Sequence, residues 1–232
     1  MAFRILNFYY SIGYRFISAA VLVALAASIT AQEIVDKTVA TVSDGVRTEL
    51  ITYSDLMWQI ALVPGVPLNP ASSEDLNQSL QILLRQRLIA LEAERLPSAE
   101  PTAEEINAEI NRILAGFTSS SDFVRRLNSV GFSSVSDENF QRMMRQRVAI
   151  EKYLDFRFRS FVVITPNDEE IYYRDRFVPD FRRRNPGIVV PELSNVRERI
   201  NEILTEQKVE SDIESFLDNA RNRAEIVILS EV

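Results

Sequence analysis

Apolar residues recur at three- and four-residue spacing over most of this sequence, and that spacing places side chains on one face of an α-helix. From about Ser73 to Leu96 this face consists of leucines, namely Leu80, Leu83, Leu84, Leu88 and Leu91. Helices bury such faces by packing against one another, and 46% of the residues are apolar, which is enough for a core. The sequence therefore predicts a mainly α fold, built as a helical bundle.

Capping signals divide the pattern into separate helices. Thr102 and Glu105 have the spacing of a capping box, ahead of a helix that should stop near Gly116. Ser121 is expected to open a short helix, and Gly131 should end it because glycine readily adopts the left-handed conformation found after helices. Both ends of these helices are thus indicated by local chemistry.

Three further helices are predicted in the second half of the chain. Ser136 is expected to cap a long helix that carries five arginines from Arg142 to Arg159 and ends near Ile164. Thr165, followed by a proline, should cap the next helix. A helix of about 30 residues should begin at Pro191.

Two β-branched runs around an Asp-Gly turn predict a β-hairpin over residues 38–51. An isolated hairpin is marginal in water, so it needs a partner. The other strong strand signal is Glu225–Leu229. We therefore expect a small β-sheet formed by the N-terminal hairpin and this C-terminal strand, with the side chains of residues 226–229 buried at about 1.5–3 kcal/mol each.

The first 31 residues have the pattern of a secretory signal peptide. They contain two arginines and no acidic residue, then an apolar run from Phe16 to Ala27 and a small residue at Ala31. The alternative is an uncleaved membrane anchor, although the run is shorter than the roughly 20 apolar residues that span a bilayer. Cleavage near Ala31 predicts a periplasmic protein without stable membrane insertion.

Residues 179–190 contain three consecutive arginines and Asn-Pro-Gly but few periodic apolar residues, which predicts a linker. Residues 32–178 and 191–232 are expected to form one unit, in which the C-terminal helix and strand pack back on the preceding module. We interpret Arg182–Arg184 as a solvated loop, with acidic clients or anionic lipid as the alternative contact.

Composition argues against several kinds of function. The chain contains no histidine, the commonest general base and zinc ligand, and no cysteine. Its formal net charge is −7, and −9 without residues 1–31, so nucleic acid is not expected as a partner. Asp168, Glu169 and Glu170 point in different directions on a helix and are explained as a helix cap. We therefore expect a non-enzymatic protein without a metal or cofactor.

Three stretches resemble the SurA-type periplasmic chaperones. The first is Val39-Ala-Thr-Val-Ser-Asp-Gly-Val with Ile51-Thr-Tyr-Ser-Asp-Leu, which is similar to the family's opening strand, turn, strand and capped helix. The second joins the leucine-rich helix and Pro101-Thr-Ala-Glu-Glu-Ile to Ile164-Thr-Pro-Asn-Asp-Glu-Glu-Ile-Tyr-Tyr. The third, residues 196–229, is similar to the family's closing helix and strand. Together they cover nearly all of the chain after residue 31.

Members of this family pair a helical peptide-binding module with parvulin prolyl isomerase domains. Here only the 17 residues 174–190 separate Tyr173 from Pro191, whereas a domain needs roughly 50 residues. The family's isomerase sites carry paired histidines, which this chain lacks. The resemblance therefore implies a module like the SurA N-terminal domain, without the parvulin domain.

A surface for varied peptides needs side chains that can repack, such as those of methionine and tryptophan. A short helix beside a proline-rich loop is apolar nearly all round, so we expect part of it to stay accessible. The candidate peptide-binding residues are Leu56, Met57, Trp58, Leu62, Met143 and Met144. A place in the hydrophobic core is the alternative for each of them.

The resemblance implies ATP-independent binding of unfolded exported polypeptides, outer-membrane proteins among them, with no isomerase activity. One alternative is a structural or assembly subunit that binds a single folded periplasmic partner through the same apolar patch. Another is an enzyme that uses carboxylates alone. Binding of many different clients would distinguish a chaperone from the subunit that binds one partner. Turnover of any substrate would establish the enzyme.

Overall fold

The computed structural model describes residues 36–93 and 100–232. The expected signal segment, residues 1–31, and the expected helix end at Leu96 lie outside these residues. Residues Lys37–Val232 form one compact unit. Within the described ranges, none of the helices combines the length and the apolar character that crossing a bilayer requires.

A hairpin, a series of helices and a final strand follow one another along the chain. The strands are β1 (Thr38–Ser43), β2 (Thr48–Thr52) and β3 (Glu225–Ile228). The helices are α1 (Tyr53–Ala61), α2 (Ser73–Ala93), α3 (Ala103–Leu114), α4 (Ser120–Ser129), α5 (Glu138–Arg157), α6 (Pro166–Tyr172), α7 (Val178–Arg184) and α8 (Leu193–Arg223). A 3₁₀ turn, Arg159–Phe161, follows α5, and a π-helical turn, Tyr173–Phe177, joins α6 to α7. The predicted mainly α fold with a small sheet is confirmed.

The hairpin and the C-terminal strand form one antiparallel sheet with the strand order β2-β1-β3. Gly45 has a φ of +84° in the hairpin turn, a conformation that residues with a Cβ atom rarely adopt. β1 lies in the centre, where Ala40 is opposite Ile51 on one side and Ile228 on the other. The predicted third strand is therefore confirmed, and α8 carries it back to the hairpin.

The expected burial of the third strand's side chains is wrong. Ile226, opposite the buried Val42, is half-buried, whereas Val227, Ile228 and Leu229 are exposed to 39%, 50% and 58%. β3 is an edge strand: Val227 lies on the sheet face of the exposed Leu50, whereas Ile228 shares a face with the buried Ala40 but lies at the open edge. Its main chain therefore contributes more to the structure than its side chains.

The predicted helix caps at Thr102 and Thr165 are confirmed. Thr52, Thr102 and Thr165 each complete a capping box with the acidic residue three positions later. Two starts differ by one or two residues from the prediction, because Ser119 caps α4 and Asp137 caps α5. In such polar runs several neighbouring side chains are capable caps, and packing of the helix decides among them.

Helix α5 is shorter than predicted. It ends at Arg157, whereas the sequence pattern suggested an end near Ile164. The apolar side chains beyond it, Phe161 and Val163, are 71% and 81% exposed. A further helical turn would therefore gain no burial from these residues.

Helix α7 occupies the first part of residues 179–190, the segment expected to be a linker. It continues from the π-helical turn as far as Arg184. The rings of Tyr173, Phe177 and Phe181, spaced four residues apart, stack with centroids separated by 5.7 and 5.8 Å. This four-residue spacing favours a helix, although the three arginines and Asn-Pro-Gly obscure it in the sequence.

Most of the buried apolar side chains form two hydrophobic clusters. The sheet cluster consists of Val39, Ala40, Val42, Ile51, Leu56, Ile60, Leu76, Leu80, Leu83, Leu84, Leu88, Ile89, Leu91, Ile150, Tyr153, Phe216, Leu217 and Ala220. The aromatic cluster consists of Leu62, Ile106, Ile110, Phe123, Leu127, Phe132, Phe140 and Met144. The end of α1 and helix α5 each contribute some residues to the sheet cluster and others to the aromatic cluster, so both helices run along the boundary between the clusters.

Candidate functional site

A cleft opens where α1, α2 and α5 meet, at the boundary between the two clusters. Its volume is about 320 Å³. The apolar part of its wall consists of Trp58, Leu62, Leu83 and Met143. The polar part consists of Asp55, Gln59, Gln86, Arg87, Asn139, Arg142, Gln146 and Arg147. The cleft can therefore contact apolar side chains and also offers hydrogen-bond donors and acceptors.

Trp58 is held in a fixed position beside the cleft. Its indole Nε1 donates a hydrogen bond to the main-chain carbonyl of Val130 at 3.0 Å. Its ring lies 4.8 Å from the ring of Phe132, between centroids. The bond and the ring contact both tie α1 to the aromatic cluster, so the indole is a preformed part of the wall.

Arg126 of α4 anchors the end of α1. Its guanidinium donates to the carbonyls of Ile60 and Ala61 at 3.0 and 3.2 Å, and to that of Val66 at 2.7 Å. The last carbonyls of a helix have no partner within the helix, so these bonds satisfy groups that would otherwise need water. Burial lowers the pKa of Arg126. The anchored end of α1 holds the apolar wall in place.

The structure brings three of the six predicted peptide-binding residues together. Trp58, Leu62 and Met143 all line the cleft. Trp58 and Met143 are half-buried and Leu62 is 8% exposed, so the first two have the larger accessible area. These three residues come from α1, its C-terminal end and α5.

The other three predicted residues lie outside the cleft. Leu56 is fully buried in the sheet cluster and Met144 is fully buried in the aromatic cluster. Met57 is half-buried and packs against the sheet cluster. An apolar helix between two clusters is covered on more than one side, which is why α1 buries more of its surface than its sequence suggested.

Arg87 connects α2 to the neighbouring elements. Its Nη1 donates to Oε1 of Gln146 at 2.8 Å, and carboxylate oxygens of Glu49 and Asp55 lie 3.7 Å from its Nε and Nη2. Its Nε is buried, and no group of the described residues accepts a hydrogen bond from it. A buried donor without an acceptor is destabilising by about 1–3 kcal/mol. An acceptor that reached it would recover that energy.

Gln59 is a buried polar residue in the cleft wall. It is 8% exposed, and its carboxamide forms no hydrogen bond with residues 36–93 or 100–232. Among the described residues, Arg87 Nε is the buried side-chain polar atom that lacks a partner, so the unpaired polar atoms of Gln59 are accessible from the cleft. Its amide can both donate and accept.

Helix α5 places two more guanidiniums at the cleft. Arg147 donates through Nε to Glu109 at 2.5 Å, and Arg112 pairs with the same buried carboxylate at 2.7 Å. Arg142 donates to Oδ1 of Asn139 at 2.6 Å, and no carboxylate of the described residues lies within 4.0 Å of it. Arg142 is therefore a cation without an acidic partner in the described structure.

The sequence prediction did not include this polar wall. Arg142 and Arg147 belong to the run of five arginines in α5, which is the one signal that could have indicated it. Gln59 and Arg87 carry no such signal, because glutamine and arginine between apolar positions are typical of solvent-facing helix surfaces. Only the packing of α1 against α2 and α5 brings them into a cavity.

A second apolar surface, here called the distal patch, consists of Phe156, Phe161 and Val163. These side chains are 63%, 71% and 81% exposed, and the two rings lie 6.2 Å apart between centroids. The rise of an α-helix places Phe156 about 20 Å from Met143 along α5. The distal patch and the cleft are therefore separate surfaces.

No protein-family model matches this chain, and no curated protein sequence matches it. The resemblance to SurA-type chaperones therefore depends on the quoted sequence stretches alone.

Proposed function

We propose that this protein is an ATP-independent chaperone that holds unfolded polypeptides by binding short segments of them in the cleft. The observation that carries this proposal is the combination of an apolar wall with an unpaired amide at Gln59 and unpaired guanidinium donors. A polypeptide segment presents the same two kinds of group, apolar side chains and main-chain carbonyls and amides. The cleft is thus chemically complementary to short segments of a polypeptide.

The size of the cleft also favours a short segment. Ligand pockets range from about 300 to 1,000 Å³, and the cleft is at the lower end of that range. It admits a few side chains at a time and cannot enclose a folded domain. Binding many such segments weakly and in turn is how a holdase would keep clients soluble.

The individual groups suit varied clients. Met143 is flexible and polarizable, so it can repack around different side chains. Trp58 supplies a large, rigid apolar surface. The carboxamides of Gln59 and Gln86 can donate to a carbonyl or accept from an amide, which allows either direction of the bound chain.

The proposed location is the periplasm and the proposed clients are exported proteins, outer-membrane proteins among them. The signal-like pattern of residues 1–31 supports this location. Sequencing of the mature N-terminus should find it near Gln32, in a soluble periplasmic fraction. Retention of residues 1–31 on a membrane-bound product would contradict it.

Binding of one folded partner is the second candidate function. The distal patch supports it, because a group of strongly exposed apolar side chains is typical of protein contact sites. Binding of a folded partner through this patch does not need the cleft. The two candidates therefore make opposite predictions for variants of the two surfaces.

The test compares Met143→Glu in the cleft with Phe161→Glu in the distal patch. Both add one negative charge to an apolar side chain that is at least partly accessible. We expect Met143→Glu to abolish most of the protection of a denatured client against aggregation, measured by light scattering without ATP, and Phe161→Glu to retain it. Loss of protection with Phe161→Glu alone would refute a role for the cleft and assign client binding to the distal patch, whereas absence of protection by the parent protein would favour the second candidate.

A further inference from the structure

We propose that the cleft prefers segments in which a carboxylate lies beside apolar side chains. This inference names the ligand class of the same site and depends on the proposed function. It begins from the charges around the cleft, which are not balanced. A bound carboxylate is what would balance them.

Three guanidiniums and one carboxylate line the cleft: Arg87, Arg142 and Arg147 with Asp55. Two further acids approach from outside the lining. Glu49 lies near Arg87, and Glu109 pairs with both Arg147 and Arg112. Arg87 and Arg147 thus each have a carboxylate within 4.0 Å, whereas Arg142 has none among the described residues.

The unmatched cation is Arg142. One of its donors is used by the neutral side chain of Asn139, and the residue is exposed, so its other donors are accessible to a ligand. A guanidinium presents five N–H donors in a planar fork that fits a carboxylate with two parallel hydrogen bonds. Arg142 therefore has both the charge and the free donors for a bound carboxylate.

The position of Arg142 beside Met143 defines the second half of the ligand. Both residues line the cleft, and Trp58 faces the same cavity. A carboxylate held by Arg142 would thus bring its neighbouring side chains against the apolar wall. A segment that combines an acid with aromatic or aliphatic residues fits both parts of the site.

The unpaired groups deeper in the polar wall give the ligand further partners. Arg87 Nε lacks an acceptor, and the amide of Gln59 is unpaired within the described structure. Main-chain carbonyls of the segment, or a second oxygen of the carboxylate, can accept from these donors. Arg87 Nε and the amide of Gln59 can therefore both donate to acceptors of a bound segment.

The carboxylate has two possible sources, an acidic side chain within the segment or the C-terminus of the client chain. Both present the same planar pair of oxygens to Arg142. Peptides with a free or an amidated C-terminus, with and without an internal glutamate, separate the two. Binding only of the free-acid forms would identify the chain end as the source.

The test uses labelled peptides that differ only in Glu, Gln or Lys beside two phenylalanines, with binding followed by fluorescence anisotropy. A charged hydrogen bond predicts that the Glu peptide binds about tenfold tighter than the Gln peptide. Arg142→Gln should remove this difference. Arg145→Gln, which removes the same charge from an exposed position of α5 outside the cleft, should preserve it.

Trp58 is the sole tryptophan of the chain, so its emission reports whether the peptide occupies the cleft. We expect a spectral change on binding of the Glu peptide to the parent protein and to Arg145→Gln. Equal affinity for all three peptides, with a normal Trp58 response, would overturn the carboxylate preference while the chaperone proposal stands. Absence of both peptide binding and protection from aggregation would overturn the proposed function itself.

Discussion

The sheet cluster draws its residues from both ends of the described chain, from Val39 to Ala220, whereas the aromatic cluster lies entirely between Leu62 and Met144. Formation of the sheet cluster requires α8 to return to the hairpin, so this cluster needs contacts between distant parts of the sequence. The second forms within about a third of the chain. Local contacts form at a smaller loss of chain entropy, so the aromatic cluster should be the earlier and more autonomous of the two.

The clusters also differ in composition. The aromatic cluster contains rings in mutual contact, with Phe140 at 6.1 Å from Phe123 and 5.4 Å from Phe132 between centroids. The sheet cluster is mainly aliphatic. The cleft lies where the two meet, and polar side chains from α1, α2 and α5 line part of the gap. The cavity here is a consequence of two cores that pack separately.

The largest predicted effect is that of removing the central ring of the aromatic cluster. Phe140 is fully buried, and Phe140→Ala should lower the free energy of unfolding by about 3–5 kcal/mol. Amide exchange should accelerate more in α4 than in β1, because α4 packs on this ring. The matched control is Phe156→Ala on the same helix, where the ring is 63% exposed and should contribute far less. Equal loss in both variants would refute the distinction between core and surface on α5.

Removal of β3 tests how the sheet cluster is closed. The N–H of Leu229 donates to the carbonyl of Val39 at 2.8 Å, so the alternation of an antiparallel strand turns Thr41 and Ser43 toward β3 as well. Truncation after Ala224 should lower stability by about 2–3 kcal/mol through lost ladder bonds. Thr41 and Ser43 should lose amide protection.

The residues that alternate with Thr41 and Ser43 along β1 provide the internal control for the truncation after Ala224. Amides of Ala40 and Val42 face β2 and should stay protected. Val227→Thr, at an exposed position of β3, should change stability little because it keeps the main-chain ladder. A Val227→Thr variant as unstable as the truncated chain would show that side-chain burial, not the ladder, holds the strand.

A smaller effect of opposite sign is predicted for Gln59→Leu at the boundary of the clusters. Replacing a residue that is 8% exposed, and whose amide forms no hydrogen bond within the described structure, with an apolar residue of similar size should raise stability by up to about 1 kcal/mol through added apolar burial. The same change should weaken peptide binding several-fold, since it removes a hydrogen-bonding group of the cleft. Gln81→Leu, at an exposed position of α2, should alter neither property. A binding-competent Gln59→Leu variant would remove this amide from the proposed site.

The smallest effect concerns acid. The side chain of Lys152 and the main-chain N–H of Thr102 hold the pKa of Glu105 below its usual 4.5, and hydrogen bonds from Ser133 lower that of Asp137 below 3.8. A carboxyl whose pKa is lower in the folded than in the unfolded state stabilises the fold at pH values above its unfolded-state pKa. This stabilisation is lost as the pH falls through the folded-state pKa. Both groups cap helices of the aromatic cluster. Thermal unfolding between pH 6 and 3 should show a gradual fall that Glu105→Gln makes shallower, and an unchanged slope in that variant would contradict this assignment.

Much of the fold followed from local chemistry in the sequence. The capping boxes at Thr102 and Thr165 and the left-handed Gly131 mark helix ends through bonds made within a few residues. The pairing of the terminal strand with the hairpin followed from the need of a hairpin for a partner. These features depend little on the rest of the chain.

The candidate site was only partly predictable for a physical reason. Adaptable side chains at Trp58 and Met143 stand out in the sequence, but whether Leu56 and Met144 are exposed depends on which helices cover them. The exposure of Val227 and Ile228 depends likewise on which sheet face the helices cover and on how far that cover extends to the edge strand. Long-range packing decides each of these, and no local pattern encodes it.

The central claim is that unfolded segments bind in the cleft, and site-specific photo-crosslinking tests it most directly. A photoreactive residue at position 143 lines the cleft, whereas one at position 145 is turned by about 200° around the same helix. With a denatured client, we predict several-fold more adduct at 143 than at 145, and loss of that adduct on addition of an unlabelled Glu-Phe peptide. Equal adduct at the two positions, or stronger adduct at position 161 in the distal patch, would contradict the account.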